Sequence, residues 1–206
     1  MKTRLPESTN RRNAGHGVVF FLSLAALAIT LLAGCVERDF ASIQAGPNEH
    51  GHYIHGVPFF RQEESSCGPA ALASVASYWG RSVSLERINS RVYLPQLRGT
   101  LPMDMERFLR EEGFTTTSFA GNLDALKEQV GLDVPVICLL DLGFWVYRRP
   151  HYVTVIGFDD ADAVIIAHDG LHANTVIGYE KFRNAWGRAG NWMLVARPAP
   201  FHEQGK

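Results

Sequence analysis

Cys67, His151, Asp169 and Gln62 are the residues of this chain whose types and spacing suit nucleophilic chemistry. Cys67 opens a Cys-Gly-Pro-Ala run, and Pro69 fits a first helical turn, where its missing N–H and fixed φ cost nothing. Leu72, Val75, Ala76 and Trp79 then recur at helical spacing until Gly80 supplies a stop. A thiol at that helix start faces unpaired N–H groups and the positive end of the dipole, which favour thiolate and lower its pKa. Gln62, just upstream, carries an amide donor for the oxyanion that forms when a thiolate attacks a carbonyl. The plain alternative for Cys67 is a small buried hydrophobe.

A nucleophile of this kind needs a base. Two β-branched runs, 151–158 and 163–168, are joined by Asp159-Asp160-Ala161-Asp162, short enough for a hairpin. A turn centred near Asp160 places His151 opposite Asp169, with Cβ atoms about 4.5–5.5 Å apart on one face. The imidazole then serves as general base and the carboxylate fixes its tautomer; a slip of one residue destroys the arrangement. His168 and His172 compete as bases, the first expected on the opposite face and the second in the following loop.

The elements that must position these groups follow the chain. Ser84 caps a short helix through Ile88, Thr100 a second from Pro102 to Glu112, and Asn122 a third from Leu123 to Val130, closed by Gly131. Thr115–Thr117 reads as a strand or its edge. From Val134 onward the apolar runs are short and β-branched: 136–140, 151–158, 163–168 and 192–196, with a weaker 175–177. A helical half followed by an antiparallel half gives α+β. Phe144, Trp145 and Tyr147 fall in the loop before His151, where they contact substrate or cover the core. Cys138 lies in a buried-strand pattern, with packing as its role and a Cys67–Cys138 disulfide as the alternative.

The start of the chain reads as a targeting segment. Lys2, Arg4, Arg11 and Arg12 precede an apolar run from Val18 to Ala33, too short for a comfortable membrane span, which ends in Leu-Ala-Gly-Cys35. That tetrapeptide resembles the bacterial lipobox, which implies removal of residues 1–34 and lipidation of Cys35. The expected product is anchored on the periplasmic side of the cell envelope, and Val36 after the Cys points to the outer rather than the inner membrane. Residues 35–56, with Gly46, Pro47, Asn48, Gly51 and Gly56 and little apolar periodicity, read as a tether; its His50, His52 and His55 lack a completing ligand, so no metal or other cofactor is expected. Removing residues 1–34 takes away four basic and one acidic side chain and leaves 16 against 20, a net of −4, which argues against nucleic acid. Residues 57–198 then form the folded domain and 199–206 a tail.

Gln62, Cys67-Gly68-Pro69-Ala70, Pro150-His151-Tyr152-Val153-Thr154-Val155-Ile156-Gly157 and His168-Asp169-Gly170 together resemble the bacteriocin-processing, double-glycine leader peptidases. The resemblance spans about residues 57–198 and implies a papain-like cysteine peptidase fold with a helical N-terminal half. It implies Cys67 as nucleophile, His151 as base, Asp169 as orienter and Gln62 as oxyanion donor. Ser66 stands where transporter-borne members carry Asp, and Gln62 lies one residue closer to the nucleophile. With no exporter following, the expected substrate is a peptide or protein other than a cytosolic leader. An amidase or acyltransferase on the same scaffold, or a peptide-binding envelope module working with a partner protein, are the competing functions.

Overall fold

The computed structural model describes residues 50–62 and 66–200. The apolar run at 18–33, the proposed lipidation site Cys35, the first part of the tether and the last tail residues lie outside the described residues.

The chain enters through β1 (Gly51–Tyr53), where a tether was expected. Ile54, buried to 1% exposure, follows it into the core and supplies the anchoring energy that a Gly-rich segment otherwise lacks. Helix α1 (Cys67–Tyr78) comes next. Its end is a Schellman motif: Gly80 at φ 77 directs its N–H to Ser77 O, and Arg81 N–H reaches Ala76 O. Helix α2 runs Leu85–Val92, capped by Ser84, whose oxygen accepts from Arg87 N–H. A small hairpin of β2 (Tyr93–Leu94) and β3 (Gly99–Thr100) leads to α3 (Pro102–Glu111). Thr100 does not cap α3. Pro102 sets the first turn and holds Leu101 extended, so Leu101 takes the cap position and Thr100 belongs to β3.

Strand β4 (Phe114–Ala120), α4 (Leu123–Gly131), β5 (Val136–Asp141), β6 (Pro150–Asp159), β7 (Val164–His168), β8 (Thr175–Gly178), α5 (Tyr179–Arg188) and β9 (Trp192–Pro198) complete the fold. The sheet order is β4-β9-β5-β6-β7-β8, with β1 also on β6, and every pairing is antiparallel. The architecture is α+β, and helices cover both faces of the sheet.

Alternation along the strands explains the two layers. Ile137, Tyr152, Leu194 and Ala196 face α1, α2 and α3 through Leu72, Ile88, Met105 and Phe108. Val136, Cys138, Val153, Val155 and Met193 face α4 and α5 through Leu126, Phe182 and Trp186. Each fully buried large side chain here contributes about 1.5–3 kcal/mol. Cys67 and Cys138 are both free thiols, and Cys138 belongs to the core opposite α1.

Candidate active site

Helix α1 is buried along most of its length and lined with Ala, which lets it lie close against the sheet. Gly68 is required at its start, because a Cβ there would stand 2.8 Å from the Thr100 side chain. The cap residue Ser66 makes no side-chain bond to the helix. The backbone N–H groups of Tyr152, Gly68 and Cys67 itself lie by the sulfur and favour the thiolate. Tyr152 directly follows His151 on β6, so the thiol lies against the backbone beside the candidate base. Burial pushes the Cys67 thiol above its ordinary 9.0 despite these donors, whereas the helix start alone led us to expect a lowered value. The reason is the depth at which α1 packs.

His151 pairs across the ladder with Leu140 of β5. Its Nε2 lies 2.8 Å from the main-chain oxygen of Asp169. A carbonyl only accepts, so Nε2 carries the proton and Nδ1 of the neutral ring carries the lone pair. Burial lowers the imidazole below 6.5, against the opposing influence of the Asp169 carbonyl and charge, and Arg149 lowers it further.

The carboxylate of Asp169 is engaged elsewhere, contrary to the expected register. Its Oδ1 accepts from the N–H groups of Leu171 at 2.8 Å and His172 at 2.6 Å, and its Oδ2 from Thr175 Oγ1 at 3.0 Å. His172 Nδ1 stands 3.6 Å from Oδ2. Burial by itself would raise this carboxyl, and the donors from His172, Leu171 and Thr175 hold it low instead. Two features move the register. The β6–β7 turn closes at Asp159↔Val164, where Asp159 Oδ1 accepts from Ala161 and Asp162 N–H and Ala163 takes φ 52. A bulge between Val155 and Gly157 then shifts the pairing again, so the ladder ends at Thr154↔His168. Asp169 is thus offset by two residues from the position opposite His151. An even offset keeps the face, and it brings the carbonyl rather than the carboxylate to the ring.

Gln62 joins the same turn. Its N–H donates to Gly170 O at 2.8 Å, and its side-chain oxygen is buried without a hydrogen-bond partner among the described residues. Gly170 takes φ 81, and a Cβ there would lie 2.6 Å from Gln62 Oε1. The structure therefore joins His151 to the Asp169–Gly170 turn that Gln62 also touches, and sets Cys67 beside Tyr152, the residue after His151. Beside the helix start is a cavity of about 140 Å³, lined by Arg61, Gln62, Ser66, Pro69, Leu85 and Asn89.

The competing histidines have other work. His168 accepts at Nδ1 from Asn174 N–H at 3.2 Å and donates from Nε2 to Val57 O at 3.0 Å, which commits both ring nitrogens. His172 is exposed and sits on the Asp169 carboxylate. His52, placed in the tether from sequence, is bound to Asp133 at 2.8 Å. Sequence reasoning missed the Tyr152 N–H and the Asp169 carbonyl, because main-chain groups carry no residue signature. It also missed Thr175, whose signal would have been a hydroxyl just beyond an Asp-Gly turn.

The sequence profile of the peptidase C39 family matches residues 57–199. No curated protein matches. Among solved structures, the peptidase domain of Streptococcus ComA, a bi-functional ABC transporter involved in quorum sensing, is 23% identical with a TM-score of 0.58, over 69% of this chain and 99% of that one. A double-glycine-motif protease from an AMS/PCAT transporter, solved with its leader peptide, is 20% identical with a TM-score of 0.59, over 72% and 95%. Xylellain, a cysteine protease from Xylella fastidiosa, is 12% identical with a TM-score of 0.52, over 80% and 91%. At these identities the solved structures establish the shared papain-like fold.

Proposed function

The chain belongs to the peptidase C39 family and is a cysteine-type peptidase; from that premise we propose that Cys67 and His151 cleave peptide bonds at the envelope membrane, to which a lipid on Cys35 holds the domain. The single observation that carries the mechanism is the His151 Nε2 to Asp169 carbonyl bond, which leaves Nδ1 as the ring's only proton acceptor.

In this reading both partners rest neutral, since burial raises the thiol and lowers the imidazole. On substrate binding, Nδ1 of His151 takes the Sγ proton while sulfur attacks the peptide carbonyl carbon. The oxyanion is received by the Gln62 carboxamide and the N–H groups at the start of α1. His151 returns its proton to the leaving amine, the C–N bond breaks, and a thioester remains. Water, deprotonated by the same nitrogen, then hydrolyses the thioester and restores the thiol. The Asp169 carbonyl holds the ring and stabilises the transient imidazolium. The protease solved with its leader peptide supports a peptide segment as substrate here, with the cavity beside Pro69 and Leu85 receiving one of its side chains.

Cys67→Ser and His151→Ala should each lower peptide hydrolysis by about 10²-fold or more while circular dichroism stays unchanged. Unaltered turnover in either variant would remove the mechanism. Intact-mass detection of a Cys67 thioester establishes the acyl-enzyme, and its partition between water and an added amine acceptor separates a hydrolase from an acyltransferase. For the anchor, mass spectrometry of the mature N-terminus should find diacylglycerol on Cys35, and an unmodified Met1 terminus would refute it.

A further inference from the structure

The loop joining β5 to β6 exposes its apolar residues to an unusual degree. Phe144, Trp145, Val146 and Tyr147 are 86%, 91%, 83% and 72% exposed, the highest values among the large hydrophobics of the described residues. Tyr147 N–H donates to Phe144 O at 3.0 Å, closing a tight turn in which Trp145 takes φ 54. A bulky residue at positive φ is strained, and strain of this kind concentrates at recognition sites.

The tip is held out by a rigid base. Asp141, 4% exposed, accepts at Oδ1 from Gly143 and Arg149 N–H at 2.9 Å each, and at Oδ2 from Arg148 Nη1 at 3.2 Å. Arg188 Nη2 donates to the Asp141 carbonyl at 2.6 Å, and Arg148 Nη1 to the Arg188 carbonyl at 2.7 Å. Gly143 leaves no space for a Cβ against the Tyr147 carbonyl. The apolar knob is therefore presented outward on a hydrogen-bonded base.

We propose that residues 144–147 insert into the interfacial layer of an anionic phospholipid membrane, as a second attachment beside the lipid on Cys35; this rests on the anchor reading above. Trp and Tyr are the side chains that settle at headgroup depth, with an apolar ring and a polar edge. Exposed Arg149 follows them in the chain and can meet lipid phosphates, while Arg148 is held at the loop base by Asp141 and the Arg188 carbonyl. The knob is convex, and Phe144 and Tyr147 already pair with each other, so it offers a peptide neither a groove nor a free strand edge.

The chain path fits two points of attachment. Asp141 opposes Pro150 at the tip end of β6, and Gly51 opposes Asp159 at the other end. Residues 36–49 span at most about 50 Å when extended. Strand β6 is about 30 Å long. A lipid on Cys35 and the tip can therefore reach one bilayer with β6 lying along it, the tip adding a second point of contact to a two-chain anchor.

The test uses the full chain on vesicles of phosphatidylcholine and phosphatidylglycerol, with and without brominated acyl chains, read by flotation and by tryptophan emission. The brominated lipid should quench the wild-type chain, and Trp145→Phe should lose that quenching while still floating and still hydrolysing a soluble peptide. Flotation with equal quenching in both chains would overturn the tip and leave the anchor standing. A chain that does not float would overturn both. If a Phe144→Ser, Trp145→Ser chain instead shows a raised KM, or loses a self-association seen in sedimentation, with no Trp145 quenching on vesicles, the tip is a substrate or self-association surface and the proposal fails.

Discussion

His151 Nε2 donates to the main-chain carbonyl of Asp169 at 2.8 Å, while the Asp169 carboxylate turns back into the loop that follows it. The aspartate thus positions the ring through its backbone, and its side chain acts by fixing the turn from which that carbonyl projects. The division of labour has direct consequences for substitution at 169.

Asp169→Asn keeps an oxygen for Leu171 and His172 N–H and leaves the carbonyl in place. Its kcat/KM should fall less than about 10-fold, whereas removing the base in His151→Ala should cost about 10²–10⁴-fold. Asp169→Ala should lose about 1 kcal/mol of stability through the freed turn donors. Steady-state kinetics beside thermal melts check this, and an Asn variant as inactive as His151→Ala would return the orienting role to the carboxylate.

Cys67 alkylation by iodoacetamide should follow a pH profile with its midpoint above 9.0, because burial raises the thiol and His151 rests neutral. Cys138, wholly buried, should stay unmodified in the folded chain and react only after denaturation. Peptide mapping by mass spectrometry separates the two sites. A Cys67 midpoint well below 9.0 would mean that a thiolate–imidazolium pair exists at rest.

Acid should destabilise the fold through His151 and His168, both depressed below 6.5 by burial. The unfolded chain binds more protons than the folded one below that value, so stability is fully present above pH 6.5 and is lost as pH falls toward the depressed folded values. For His168 the cause is specific, since protonating Nδ1 removes the acceptor of Asn174 N–H. Melting temperature measured against pH should drop below 6.5, and less steeply in His168→Gln; parallel curves would exclude His168 as a source.

Gly170→Ala should cost about 1 kcal/mol or more, because alanine is strained at φ 81 and its Cβ would meet Gln62 Oε1. That corresponds to a Tm lower by about 2–4 °C for a domain of this size. Displacing Gln62 should lower kcat with less change in KM, as expected of a group that acts on the oxyanion. A raised KM at unchanged kcat would instead assign Gln62 to ground-state binding.

Much of this was legible in the chain itself. Helix α1 is written in Pro69, the apolar spacing from Leu72 to Trp79 and Gly80, each of which acts within a turn or two of backbone. The Ser84 and Asn122 caps and the β-branched strands from Val136 onward are equally local. Gln62, Cys67, His151 and Asp169 stood out as candidates because nucleophilic chemistry restricts the side chains that can perform it. What the sequence left open depends on distant partners. The short β1 exists because β6 offers it an edge, which no property of Gly-His-Tyr announces. The β6 bulge and the Asp159 turn moved Asp169 by two residues and brought main-chain groups at 152 and 169 to the candidate site, since register is decided by the whole ladder. The thiol's electrostatics likewise reversed: helix position favours thiolate locally, but the packing of α1 into the sheet removes water from Cys67, and desolvation is the larger effect.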